Sequence, residues 1–329
     1  MSETRAALVV ESAPPLLKIR LPFSHRLNCF IKLWVLKALA TIFFAVDRLI
    51  HPPPRAQRPT LIQSYPCRPA LQTRVFYPPN YRSGDLLPLY LSIHGGGFVV
   101  GDPQHDDEFC SMWAKRTSML VVSLDYSQAP LYPFPIAIHD IAALAAAVLA
   151  DASLPIDKTK VAIGGFSAGG NLALCASQLS GLKGTIKAAL TFYPIVDWSH
   201  PPSEKLDARP YKGGPKDALE FSSYWSDWAY VLPGHNRRDP LLSPCYARKE
   251  DLPPWVYVIA AEWDMLRLES QDMIHELAGL AGVGDQEEDF EEGTYKWTLA
   301  RGCSHAFTHH FGQRAEKNRK RELSVTMME

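Results

Sequence analysis

A chain of 329 residues, 47% of them hydrophobic, exceeds the usual single-domain length yet suits one large core with an appended cap, so no second catalytic domain is required. Its formal net charge of −1 offers no field to gather nucleic acid or an acidic surface. Six cysteines, at 29, 67, 110, 175, 245 and 303, have neither metal-type spacing nor the density of a disulfide scaffold, which argues for reduced thiols in a cytoplasmic compartment.

Residues 1–25 contain Pro and Ser and show little periodicity. The stretch Leu27 to Ile50 is apolar and reads as a helix, closed by Pro52-Pro53-Pro54. Lys32 and Lys37 interrupt it, leaving Ala38 to Val46 as its longest charge-free run, short of the roughly 18 residues wanted for a membrane span. It also begins too far along the chain, after too many polar residues, for a signal peptide. A cap helix over an active site is the expectation for residues 30–50. A membrane-surface helix is the first alternative and a span the second.

From there apolar runs and helical patterns alternate, as in a mostly parallel sheet with helices on both faces. Strands are expected at Val75–Tyr77, Leu89–Ile93, Leu120–Asp125, Val161–Ile163, Ala188–Phe192, Trp255–Ala260 and Tyr295–Leu299. Helices are expected at Asp107–Lys115, Ile138–Ala150, Asn171–Ser180, Glu269–Ala281 and His309–Arg321. Directly after Leu89–Ile93 comes His94-Gly95-Gly96-Gly97, a glycine loop whose backbone N–H groups can bind an oxyanion. Gly165-Phe166-Ser167-Ala168-Gly169 then sits where a strand turns sharply into a helix. Flanking glycines permit the strained turn and the close passage of strand and helix, which presents the Ser167 hydroxyl as a nucleophile. Gly96, Gly97 and Ala168 are the expected oxyanion donors, with His94 and Gly95 supporting the loop.

Residues 197–236 break the alternation and hold Trp198, Tyr211, Phe221, Tyr224, Trp225, Trp228 and Tyr230, an aromatic density suited to a lid over a cleft. Past the next strand, Ala261-Glu262-Trp263-Asp264 places Asp264 on a loop where a carboxylate can orient a histidine. It is preferred to Asp272, Glu262 and Asp289. After the last strand, Gly302-Cys303-Ser304-His305 places His305 on a loop as the base. The order nucleophile, acid, histidine is that of a Ser167, Asp264, His305 triad. His309-His310 lack the companions of a metal site, Cys303 reads as a small buried neighbour, and Arg314 to Arg321 reads as a solvated mixed-charge segment.

Together these motifs resemble the hormone-sensitive-lipase-like carboxylesterases of the α/β-hydrolase fold over roughly residues 75–312. The resemblance rests on His94-Gly95-Gly96-Gly97-Phe98, Gly101-Asp102, His105-Asp106, Asp125-Tyr126, Ala129-Pro130, the elbow, Tyr193-Pro194, Asp239-Pro240-Leu241-Leu242-Ser243-Pro244, Asp264-Met265-Leu266-Arg267 and His305-Ala306-Phe307. It implies metal-free, cofactor-free hydrolysis of esters with short to medium acyl chains beneath a cap from two segments. In finer detail the chain resembles fungal secondary-metabolite esterases. Phe166 stands where many members carry an acidic residue, which implies a more apolar acyl pocket. Ser127-Gln128 replaces the usual Arg-Leu, which removes one side of an ion pair common in the family.

The expected organisation is an N-terminal cap segment 1–55, a first core part 56–196, a cap insertion 197–236 and a second core part 237–329. A serine esterase of a short-acyl ester leads. A lyase, dehydratase or cyclase on the same scaffold and a non-catalytic small-molecule receptor are the alternatives. The expected partner is a small ester and not nucleic acid, with a membrane surface contacting residues 30–50 and a homodimer both allowed.

Overall fold

The computed structural model of this protein describes residues 23–50, 52–211, 214–280 and 289–309. A nine-stranded sheet runs through them in the order β1-β2-β4-β3-β5-β6-β7-β9-β8. Its strands are β1 (Leu61–Ser64), β2 (Gln72–Phe76), β3 (Leu87–Ile93), β4 (Leu120–Leu124), β5 (Ile156–Phe166), β6 (Ala188–Phe192), β7 (Trp255–Trp263), β8 (Phe290–Glu292) and β9 (Tyr295–Ser304). The six strands β4, β3, β5, β6, β7 and β9 are mutually parallel, while β1, β2 and β8 attach antiparallel at the edges. The helices are α1 (Phe23–Ile50), α2 (Asp107–Thr117), α3 (Ile136–Ala150), α4 (Ala168–Ser177), α5 (Pro202–Ala208), α6 (Ser223–Tyr230) and α7 (Arg267–Ala278).

The central strands are apolar at successive positions because both faces of the sheet are covered. On β3, Leu89, Leu91 and Ile93 pack in the larger core with α3, α4 and α7, whereas Tyr90 points into a second core with α2. On β7 the same pleat sends Val256, Val258 and Ala260 one way and Ile259 and Ala261 the other. The doubly covered parallel sheet gathers the loops after β3, β5, β7 and β9 at the carboxyl ends of the strands, where open α/β sheets hold ligands.

Several strands outrun their expected limits. The expected Val161–Ile163 is the middle of β5, whose first half passes through Asp157, Lys158, Thr159 and Lys160. The last three of these are exposed, so no apolar run signals that half. β1 and β8 are short edge strands carrying Gln63, Ser64, Glu291 and Glu292, and were missed for the same reason. α4 starts at Ala168 rather than Asn171, since the helix begins immediately at the elbow. His309 closes a short 3-10 turn, Phe307–His309. The remainder of the helix expected at His309–Arg321, with His310 and Arg314–Arg321, lies outside the described residues.

The insertion after β6 contributes α5 and α6. Its rings divide rather than lining a cleft together. Trp198 and Tyr230 are buried, Tyr230 stacked on Phe98 and Trp198 tilted against it, fastening the insertion to the glycine loop, while Phe221 and Tyr224 stay exposed. Of the seven rings only Trp198 lines the cavity, where the insertion also contributes Leu219, Ser222, Ser223, Ser226 and Asp227.

Candidate active site

Ser167 occupies the junction of β5 and α4 with φ 53° and ψ −114°, a backbone region that costs a non-glycine residue about 1–3 kcal/mol. The strain sits on the serine itself. The neighbouring glycines answer a different need: a Cβ on Gly169 would come within 2.1 Å of the Ile93 carbonyl oxygen, and one on Gly165 within 2.3 Å of the same atom. Only glycine lets α4 cross β3 this closely. The Ser167 N–H donates to the Phe192 carbonyl at 2.9 Å, which ties the turn to β6.

The pairing of β7 with β9 brings Asp264 and His305 together. After an irregularity beyond Ala261, Trp263 pairs with Ser304, so the next residue of each strand enters the same loop region. His305 Nδ1–H donates to Asp264 Oδ2 at 2.7 Å, leaving Nε2 as an acceptor for the Ser167 hydroxyl at 2.8 Å. Both Asp264 and His305 are buried. The second oxygen of Asp264 accepts the Leu266 N–H at 3.0 Å, and Tyr193 meets the His305 ring edge-on at 4.8 Å, so the carboxylate and the imidazole are both oriented. Of the competing acids, Glu262 accepts from the Gly302 N–H and Asp289 from the Leu299 N–H, which engages them in backbone support.

The glycine loop lies against the same cavity. Gly96 has φ +116°, and a Cβ there would meet the Val100 carbonyl oxygen at 1.9 Å, so the turn that exposes this backbone requires glycine. His94 Nδ1–H donates to the Gly95 carbonyl at 2.7 Å, its Nε2 faces Asp125 at 3.4 Å, and its ring stacks on Tyr126. Burial disfavours the charged imidazole, but the hydrogen bond and charge of Asp125 outweigh it and raise the His94 pKa. His94 thus anchors the loop from behind. Gln128, in the Ser127-Gln128 segment, donates to the Gly101 carbonyl at 2.6 Å and so holds the far end of the loop.

Ser167, His305, Gly95, Gly96, Gly97 and Ala168 all line one cavity of about 360 Å³, largely apolar, closed by Leu36 and Phe44 of α1 and by Trp198. Phe166 also lines it, backed by Phe109 and Phe192 in the second core. A serine hydroxyl, an imidazole that accepts from it and a glycine loop around such a cavity can perform acyl transfer.

Three supports were not anticipated. Asp217, buried in the insertion, accepts the Met265 N–H at 2.7 Å and the Tyr211 hydroxyl at 2.6 Å, joining the insertion to the loop that carries Asp264. His309 donates from Nε2 to Asp106 at 2.7 Å across the cavity wall. Lys205 of α5 pairs with buried Glu269 of α7, whose Oε1 accepts the Val196 N–H. Apart from Tyr211–Asp217, six residues apart, no local spacing announces these pairs, because their members lie 48 to 203 residues apart.

A family model described as alpha/beta hydrolase fold matches residues 90–298. Esterase LipI of Mycobacterium tuberculosis is 34% identical over 220 residues, covering 64% of this chain and 66% of LipI. Carboxylesterase NlhH of the same organism is 32% identical over 203 residues, covering 60% and 62%. The chain thus matches somewhat less than two thirds of the length of these relatives. Among solved structures, a Pyrobaculum calidifontis esterase superposes with TM-score 0.65 at 25% identity, over 94% of this chain and all of the other.

Proposed function

This chain belongs to the alpha/beta hydrolase fold family, whose model covers residues 90–298, and from that premise we propose that it is a serine carboxylesterase acting on a short-acyl ester. The observation that carries the reading is the relay from Ser167 Oγ through His305 to Asp264, at 2.8 and 2.7 Å, inside an apolar cavity. The names of LipI and NlhH, an esterase and a carboxylesterase, support the same reaction class.

The reaction runs in two halves. Ser167 Oγ attacks the ester carbonyl carbon while its proton passes to His305 Nε2. The carbonyl π electrons move to oxygen, where the N–H groups of Gly96, Gly97 and Ala168 would hold the negative charge. Collapse of the tetrahedral adduct expels the alkoxide, which takes the proton from His305 and leaves as the alcohol. Water then adds to the acyl-serine with its proton again going to His305, and the acid departs as Ser167 regains its hydrogen. Asp264 keeps the imidazole in the productive tautomer and stabilises its cationic form.

The acyl group is short, with acetyl the smallest, because Phe166 and the second core close the cavity behind the elbow. The alcohol is a small or bulky organic group, and the likeness to fungal secondary-metabolite esterases recommends acetylated aromatic alcohols in a substrate panel. Purified protein is expected to gain one organophosphonate mass on Ser167 and to lose that adduct and p-nitrophenyl acetate turnover, by about a millionfold, in Ser167→Ala. Residual hydrolysis within tenfold of the unaltered protein would reject the assignment. Hydrolysis in heavy-oxygen water places one label in the released acid, and an unlabelled elimination product would instead indicate lyase chemistry.

A further inference from the structure

Helix α1 is amphipathic in the reverse sense for a helix packed on a water-soluble core. Besides Cys29, the residues it turns inward are Leu33, Leu36, Lys37, Ala40, Phe44, Asp47 and Arg48, all buried or half-buried. Three of these seven are charged. Arg48 pairs with Asp102 at 2.6 Å, and the Lys37 ammonium bonds the carbonyls of Val99 and Ala129 and the Gln128 side chain. Leu27, Ile31, Val35, Leu39, Ile42, Val46 and Leu49 recur at intervals of three and four on the opposite side and are 45% to 82% exposed. A stripe of this length and composition exceeds what a water-facing helix carries.

Exposed cations accompany the stripe, Lys32 directly beside it. Arg26 and Lys32 are exposed on the helix, and Arg55 and Arg58 just beyond it, while Asp47, the one acidic residue of α1, lies on the inward side. An exposed apolar stripe on a helix that carries exposed cations towards its start and is followed by two more complements an anionic bilayer, with aliphatic side chains in the acyl boundary and cations at the headgroups. Leu36 and Phe44, on the inner side of the same helix, line the cavity that holds Ser167, so the face and the site share one wall.

We infer that α1 lies flat in the surface of an anionic lipid bilayer, its outer stripe buried among acyl chains, and that the catalytic cavity takes its ester from that surface. The occupant is the bilayer. Packing of the inward stripe on the core, through Arg48, Lys37 and Leu33, holds the helix along the protein rather than across the membrane. The delivery of substrate rests on the esterase reading above, whereas the binding does not. The assay therefore includes Ser167→Ala, which should bind like the unaltered chain.

The test is cosedimentation of the full chain with vesicles of phosphatidylcholine alone or with one third phosphatidylserine. Binding should appear with phosphatidylserine and weaken with salt. Leu39→Glu with Ile42→Glu should reduce it by roughly a hundredfold, leaving the thermal midpoint and hydrolysis of a water-soluble acetate unchanged. Absence of binding by the unaltered chain, or equal binding by the double variant, would overturn the proposal. So would a melting temperature lowered by the double substitution, which would mean that the chain covers this face itself. A dimer in sedimentation velocity that the substitutions convert to monomer, without vesicle binding, would assign the face to a second copy.

Discussion

At the level of single residues, the acid and the base of the relay are separable by their roles. In the proposed reaction His305 exchanges protons with both Ser167 and the leaving alcohol, whereas Asp264, 2.7 Å from the His305 ring, acts only through it. Loss of the imidazole should therefore cost nearly as much as loss of the serine, about 10⁶ in kcat, while Asp264→Asn should cost about 10⁴ by favouring the wrong tautomer. Kinetics of His305→Ala and Asp264→Asn on one soluble ester, with circular dichroism to verify folding, checks the ranking. An Asp264→Asn protein as impaired as His305→Ala would mean that the carboxylate does more than orient. His309 provides the internal control, since its ring is engaged by Asp106 and Thr308 rather than by Ser167.

Among the secondary-structure elements, α5 and α7 illustrate how the insertion is fastened to the core. Glu269 of α7 is buried against Lys205 of α5, and burial, only partly offset by the Lys205 ammonium, pushes the Glu269 carboxyl up to about 7 from 4.5. The native state then holds a proton that the unfolded chain releases near 4.5. The stabilising contribution is full below about 4.5 and is lost as pH rises through about 7. Replacing the pair by Lys205→Met with Glu269→Gln should flatten the decline of the melting temperature between pH 4.5 and 7.5 relative to the unaltered protein. Parallel curves for the two proteins would contradict the assignment of this titration to Glu269. The same joint bears on the site, because Lys205 lines the cavity and α7 begins three residues after Asp264.

For the molecule as a whole, the proposed short-acyl preference rests on the size and walls of the cavity. A volume of about 360 Å³, walled by Phe166 behind the elbow and by α1 and Trp198 above, lies near the lower end for small-molecule sites. Each methylene that fits adds about 1–3 kcal/mol of discrimination, and the first that meets the wall reverses the trend. Across acetyl to palmitoyl esters of one alcohol, kcat/KM should rise over a few carbons and then fall sharply. A maximum at twelve carbons or longer would refute the short-acyl reading while leaving the surface binding of α1 to its own test.

The alternation of strands and helices, and the order of Ser167, Asp264 and His305, were legible in the chain because they are short-range patterns. Apolar runs mark strands covered on both faces, and glycines around a serine mark a turn that admits no side chains. Polar edge strands such as β1 and β8 leave no such trace, since nothing buries them. Neither do the contacts of Asp217 with Met265 or of Asp106 with His309, which exist only once the sheet has brought distant loops to one end. For the elbow glycines the sequence indicated a strained turn and a close passage of strand and helix; the structure places the strain on Ser167 and the close approach at Ile93, against Gly165 and Gly169. Helix α1 makes the division plainest. Its composition determined that it is long and apolar, which led to a cap helix as the expectation with a lipid surface as the first alternative. Only the packing decided which stripe faces the core, and it turned Lys37 and Arg48 inward and left the aliphatic side chains outside.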